Sequence, residues 1–342
     1  MSALTARRKA SGASKAPADC EMKRHLTGLA SQIAHGYRIG KSFRLPVSYR
    51  SVHNILFFGV GGSAIAGDVL AEVMRHDSPV PFQVLRSSTV PKFTGPDTLA
   101  IFSSYSGNTW ETTAAFREAV RAGARILILT SGGEFLKNAR ANRIPYLEIP
   151  AGMPPRTAIG CLTFSVLGVL EQGGWIGPHD EAVRMLTASL EKFSPLRARK
   201  IARQLYGRVV FLYGPSTPVL RRWRAQLAEN AKTLAAHHTI PEAFHNEMEG
   251  WSFPAGFAKK AAAVFFTPPR APASILRKIR MAQSLIRRQG ALVIDIPVPG
   301  SSPLQSVFEL IYLGDWTSYE LALLNKVDPV AIPVIERIKK VS

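Results

Sequence analysis

The sequence predicts an α/β fold of two doubly wound parallel sheets in tandem, and three observations predict it. Apolar runs of strand length alternate with helical patterns of about 10–15 residues, as in sheets built from crossover units. The unit ILFFGVGGSAIAGDVL in the first half has a partner, VVFLYGPSTPVLRRWR, in the second, so one strand–turn–helix plan is used twice. The 342 residues also exceed the roughly 250–300 at which a single core stops growing.

The elements follow in order. Residues 1–24 are basic, lack apolar periodicity and read as a disordered tail. They hold no apolar core of a secretory signal, although a basic, serine-rich organelle leader stays open. A first domain is expected over 25–190, opening with a short helix at 23–37. The run NILFFGV at 54–60 ends in glycines, as a buried parallel strand does. A helix over 63–75 follows, then strands at 82–85, 98–103, 125–130 and 145–148. The clearest helix between them spans 109–121, and an apolar helix near 157–170 closes the unit. The second domain, 191–342, repeats the plan with strands at 208–213, 261–266 and 291–296 and helices at 219–233 and 273–289.

Composition narrows the function. The net charge is +19, from 43 Lys and Arg against 24 Asp and Glu. The excess is local: six basic and two acidic groups over 1–24, ten and two over 191–232, eight and none over 259–288. Such faces attract polyanions or small phosphate esters. No zinc finger, aromatic RNA-binding motif or helix-turn-helix accompanies them, so a solvated basic face is expected and no specific nucleic-acid partner. No run reaches the ~18 apolar residues of a membrane span; the best, 161–170, holds Thr163 and Ser165. Two cysteines, Cys20 and Cys161, make neither a disulfide framework nor a cysteine metal site, and a reducing cytoplasm is the expected compartment.

Two loops point to phosphate. Gly59-Val-Gly-Gly-Ser63 joins a strand to a helix, where glycines admit a ligand to the backbone and the helix start offers free N–H groups. It matches a dinucleotide fingerprint only loosely, since no acidic residue near position 80 stands ready for a ribose hydroxyl. Ser103-Ser-Tyr-Ser-Gly-Asn-Thr109 also lies between strand and helix. Asn108 and Glu111 could form a capping box there, which accounts for one polar residue but not for four hydroxyls in seven positions. Both loops fall at the carboxyl edge of one sheet, where such folds bind ligands. Ser216 and Thr217 mimic this loop in the second half, but Pro215 and Pro218 flank them and a structural role is expected.

At these residues the chain resembles a known family. GVGGSAIAGD with SSYSGNTWET is similar to the sugar isomerase (SIS) domain. RRWRAQLAENAKTLAAHHTIPEAFHNEMEGW at 221–251, MPPRTAIGCLTFSVL at 153–167 and GDWTSYELALLNKVDPVAIPVIERIKK at 314–340 resemble bifunctional phosphoglucose/phosphomannose isomerases over residues 30–340. The resemblance implies two SIS domains in tandem, a homodimer, and no metal or organic cofactor. It implies that Gly62, Ser63, Ser104, Ser106 and Thr109 bind the substrate phosphate. Glu229 would be the catalytic base, Arg156 the stabiliser of the intermediate, and His245 the ring-opening group, donated across the dimer interface.

The chemistry suits those residue types. Moving a proton between adjacent carbons of an aldose and a ketose phosphate needs one base, worth roughly 10²–10⁴-fold. Without the resemblance, Glu229 reads as a surface carboxylate paired to Arg222, Arg224 or Lys232 on a stripe of Arg222, Gln226, Glu229 and Thr233. A histidine at 245 can move a proton during ring opening, or can simply be a loop histidine. Arg156 follows Met-Pro-Pro, which stiffens the backbone ahead of it, and could be an electrostatic stabiliser or a surface loop arginine. Glu242, Glu247 and Glu249 near His237 and His238 lack a metal-site spacing. Trp110 and Ala64 depart from the usual family pattern. The resemblance also implies a threonine and a lysine near the sugar from the C-terminal segment, the threonine bearing on mannose 6-phosphate; Thr317, and Lys326 or Lys339, are the candidates. The expected reaction interconverts glucose 6-phosphate and fructose 6-phosphate, and mannose 6-phosphate as well. The alternatives are a silent sugar-phosphate sensor or an isomerase of another sugar phosphate.

Overall fold

The computed structural model of the protein describes residues 21–299 and 302–341. Two helices come first, α1 (Glu21–Thr27) and α2 (Leu29–Ser42), where one helix was expected; Gly28 separates them. Residues 21–24 are therefore helical rather than part of the tail, and the remainder of the tail lies outside the described residues. Then β1 (Asn54–Phe58), α3 (Gly62–Asp77), β2 (Phe82–Leu85), β3 (Thr98–Ser103), α4 (Trp110–Arg121), β4 (Arg125–Thr130), α5 (Gly133–Ala141) and β5 (Tyr146–Glu148) alternate. All five strands are parallel in the order β2-β1-β3-β4-β5. β1 and β3 are the apolar runs of the sequence, buried on both faces as a central parallel strand must be.

Helices α6 (Ile159–Gln172), α7 (Asp180–Glu191) and α8 (Leu196–Leu205) lead to the second unit. It comprises β6 (Val209–Gly214), α9 (Thr217–Glu229), β7 (Ala235–Thr239), β8 (Ala261–Thr267), α10 (Ala273–Arg288) and β9 (Leu292–Pro297). These strands are parallel in the order β7-β6-β8-β9. α11 (Pro303–Leu324) and α12 (Pro333–Lys339) complete the chain. The tandem doubly wound architecture agrees with the expectation, with one strand added: β7, Ala-Ala-His-His-Thr, is a polar edge strand with no apolar run to announce it.

Each half has one especially close helix pair. α2 crosses α6 so closely that a Cβ at Gly40 would lie 2.1 Å from the Ser165 carbonyl oxygen. α11 runs through the interior against α9, where a Cβ at Gly314 would lie 2.3 Å from Nε1 of Trp223. That indole N–H donates to the Leu310 carbonyl at 2.8 Å, satisfying the one polar atom of a wholly buried ring. The polar residues of α11 are paired rather than exposed. Asp315 accepts two hydrogen bonds from Arg222, at 2.9 and 2.8 Å, with both side chains about 2–3% exposed.

α3 and α9 pack across the domain boundary in opposite senses. At their middle, Arg221 donates to Asp68 at 3.0 Å. At one end Gly62 and Ile65 share a cleft with Gln226 and Glu229; at the other, Glu72 and Arg75 share one with Ser216 and Val219. The internal duplication thus becomes a pair of clefts.

Candidate active site

Local chain geometry sets the glycine loop that the sequence marks as a phosphate-binding candidate. Gly61 has φ +58°, a left-handed conformation open to glycine, and turns the chain from β1 into α3. Gly62 follows as the first residue of α3, and a Cβ on it would lie 3.1 Å from both Cα of Arg156 and the Pro155 carbonyl oxygen. Gly62 therefore lets α3 begin against the Pro155–Thr157 turn. Ser63 is 5% exposed beside it. The serine loop touches this glycine loop, since a Cβ at Gly59 would lie 3.2 Å from the Ser103 carbonyl oxygen.

Within the serine loop the hydroxyls divide their work. Ser104, 1% exposed, accepts from the Gly107 N–H at 3.1 Å and pairs with the Thr109 hydroxyl at 2.9 Å. Ser106 is exposed, and its hydroxyl accepts from the Asn108 N–H at 3.3 Å. The possible capping box is not formed. Thr109 rather than Asn108 is the N-cap of α4, and Asn108 Oδ1 instead accepts from the Glu134 N–H at 2.9 Å, tying the loop to α5. No side chain caps α4, so its first N–H groups stay open to an anion. Trp110 stands at that helix start, 69% exposed.

A cleft of about 300 Å³ opens between Gly61, Gly62 and Ile65 on one side and Arg222, Gln226 and Glu229 of α9 on the other. Arg156, Arg86, Arg221, Arg224 and His237 also line it. Arg156 is 5% exposed and immobilised: Nε donates to Asn230 Oδ1 at 2.8 Å, and Nη2 donates to the Pro329 and Val330 carbonyls at 2.7 Å each. Its remaining nitrogen, Nη1, lies 3.7 Å from Glu229 Oε2. Burial lowers the Arg156 pKa, opposed by Glu229, yet a guanidinium stays charged at neutral pH.

Several features of this cleft were not anticipated. α9 ends at Glu229, not at 233, so Thr233 does not belong to the helical stripe. Lys232, in a left-handed conformation, caps that end by donating to the carbonyls of Glu229, Asp328 and Ala331 at 2.6, 2.7 and 2.6 Å. Burial, and then the Arg156 charge, push its pKa down. Gln226 is completely buried at the cleft, and neither its amide oxygen nor its amide nitrogen has a hydrogen-bond partner. His237 enters through the unforeseen β7, where it is level with Leu212 of β6. Burial first, then Arg224 and Arg221, lower its pKa, so it is neutral at physiological pH. Hydropathy could not find it, since a histidine pair on an edge strand leaves no pattern; strand register was the missing signal.

Of the expected site residues, Gly62, Arg156 and Glu229 meet in this cleft, and Ser63, Ser104, Ser106 and Thr109 lie in the adjoining loops. His245 does not join them within the chain: it ends the short turn Glu242–His245, exposed to solvent. The candidates near the sugar also lie elsewhere. Thr317 is 0% exposed, with its hydroxyl donating to the Leu313 carbonyl at 2.7 Å, because α11 faces the interior there. Lys326 and Lys339 are exposed and do not line the cleft. No cluster of three or more His, Cys, Asp or Glu able to hold a metal occurs among the described residues.

Known proteins are similar to this chain. A family model described as "Bacterial phospho-glucose isomerase C-terminal SIS domain" matches residues 196–341, and one described as "SIS domain" matches 48–149. The chain is 32% identical over 324 residues to a bifunctional phosphoglucose/phosphomannose isomerase of Caldicellulosiruptor bescii, covering 91% of this chain and 96% of that one. It is also 32% identical to the protein so named in Aquifex aeolicus, over 84% of this chain and 89% of that one. In fold, it superposes on a crystal structure of a hypothetical protein from Thermus thermophilus with a TM-score of 0.74. That likeness covers 95% of this chain and 90% of the other, at 16% identity.

Proposed function

Because the chain belongs to the family of bifunctional phosphoglucose/phosphomannose isomerases, and is thus a sugar-phosphate isomerase, we propose the following reaction for its cleft. It interconverts glucose 6-phosphate and fructose 6-phosphate, and mannose 6-phosphate with them, through an enediolate. The observation that carries this reading is the carboxylate of Glu229, one quarter exposed in the cleft, 3.7 Å from the locked guanidinium of Arg156.

The proposed steps use these residues as follows. The substrate phosphate takes the open N–H groups and hydroxyls of Ser63, Ser106 and Thr109, with Gly62 giving the backbone room and Ser104 holding Thr109 in place. Glu229 removes the proton from carbon 2 and delivers it to carbon 1. Negative charge develops on the intermediate's oxygens, and Nη1 of Arg156, the one nitrogen free of a protein carbonyl or amide, offsets it without reorganising. Glucose and mannose phosphates differ only at carbon 2, so they give the same enediolate. Return of the proton to either face serves both epimers. The enzyme works in the cytoplasm.

His245 opens the sugar ring from the partner subunit of a homodimer; its exposure outside the chain's own cleft supports a role across an interface. Mixed dimers test this. Glu229→Gln and His245→Ala proteins are each inactive, and re-assorting them gives hybrids with one intact site, restoring about a quarter of wild-type activity. Donation within one chain predicts no recovery, and that result overturns the shared site.

A further inference from the structure

The second sheet carries a chain of hydrogen bonds that the reaction above does not use. Successive residues of a strand point to opposite faces, so His237 of β7 lines the cleft and His238 does not. His238 is level with Tyr213 of β6. Glu247 meets both. Its Oε1 accepts from the Tyr213 hydroxyl at 2.5 Å, and its Oε2 pairs with Nδ1 of His238. A carboxylate only accepts, so Nδ1 carries the proton. Nε1 of Trp251 donates to the same Tyr213 hydroxyl at 3.0 Å.

The anchor of this chain is rigid. Tyr213 is completely buried, and its ring stacks on Phe265 with centroids 4.9 Å apart. Burial, and then Glu247, raise the Tyr213 pKa, so the phenol keeps the proton that it donates. The segment that Glu247 holds is otherwise bonded to itself. It comprises two short turns, Glu242–His245 and Glu247–Ser252. Asn246 joins them: its Nδ2 donates to Glu242 Oε1 at 3.1 Å, and its Oδ1 accepts from the Glu247 N–H at 2.6 Å. Those bonds set the shape of the segment but not its place on the sheet. Ala243 and Trp251 pack it on the core of the second domain, a contact that attracts without fixing a direction. The directional bonds to the sheet come from Glu247 and Trp251. His245 stands exposed, two residues before Glu247.

We propose that Glu247 is a positioning residue of the isomerase: clamped between Tyr213 and His238, its carboxylate fixes the turn that presents His245. This role rests on the ring-opening role given to His245 above. A group that moves a proton works only within hydrogen-bond reach of it, and misplacement by about 1 Å can cost about 10²-fold. Neither Glu247 nor His238 lines the chain's own cleft, so the clamp leaves Glu229 and Arg156 untouched.

Steady-state kinetics of the full-length protein with glucose 6-phosphate test it. Glu247→Ala is expected to lower kcat about 10–100-fold with KM within about threefold of wild type. Glu247→Gln keeps an oxygen for Tyr213 and offers an amide N–H to the other His238 tautomer, which restores kcat to within about threefold. His238→Ala removes one anchor without altering the turn, and lowers kcat about 3–10-fold with KM again unchanged. The double variant Glu247→Ala/His245→Ala turns over no more slowly than His245→Ala, because both changes remove one function. A role in stability alone would add its loss to that of His245→Ala and would not separate kcat from KM. Additive losses, or unaltered kcat in both Glu247→Ala and His238→Ala, overturn the assignment of Glu247 and leave His245 as the ring-opening group. Wild-type turnover in His245→Ala overturns the role of His245 itself, and that of Glu247 with it.

Discussion

Gln226 offers a perturbation whose effects on stability and activity should point in opposite directions. Its side chain is 0% exposed and both amide atoms are without partners at the cleft floor. Each unsatisfied buried polar group costs about 1–3 kcal/mol, and a leucine of similar size removes both groups while burying apolar surface. Gln226→Leu is therefore expected to raise the unfolding free energy by about 1–3 kcal/mol, read as a higher urea midpoint with an unchanged slope. The same change makes the floor of the cleft apolar, and kcat/KM for glucose 6-phosphate falls about 10–100-fold. A leucine protein less stable than wild type would show that the amide is already satisfied when folded. A stabilised protein with unaltered kcat/KM would show that the amide has no part in the cleft. Either result refutes the reasoning.

Other positions give sharper signs. Arg222→Met leaves Asp315 buried without its bidentate partner and should cost about 3–5 kcal/mol, while the double variant with Asp315→Leu recovers most of that loss in the same denaturation assay. His179 has a raised pKa, first through its hydrogen bond to Glu171, with burial opposing. Its stabilisation is thus complete below its unfolded pKa of about 6.5 and is lost as pH rises through the higher folded value. Melting temperature should fall over that window in the wild type, and His179→Gln should flatten the dependence.

The sequence made the central parts of the fold legible and the edges hard. β1, β3 and β4 are buried on both faces, so their apolar runs name them without ambiguity. β7 packs on β6 alone and can be polar, which hides it and with it His237. α11 was invisible for the opposite reason. Buried all round, it has no polar face to give it a period, and its Asp315 and Thr317 look like surface residues until Arg222 and the Leu313 carbonyl are placed beside them. In the candidate site, the glycine turn and the serine loop are legible in the sequence because each is a local strand-to-helix pattern. Arg156 and Glu229 come together from positions 73 residues apart through the hydrogen bond of Arg156 to Asn230 just past the end of α9, and no local pattern contains that contact. The separation of His245 from the cleft is likewise a property of three dimensions.

The base is the centre of the account, and transfer of the carbon-2 proton measures it most directly. Glu229→Gln keeps the volume of the side chain and its place 3.7 Å from Arg156 but cannot accept a proton at neutral pH. With glucose 6-phosphate in deuterated water, the variant is expected to lose about 10²–10⁴-fold in both turnover and exchange of the carbon-2 proton. Binding of a non-reacting sugar phosphate should be nearly unchanged. Exchange at the wild-type rate in the glutamine protein would contradict the assignment of Glu229 as the base.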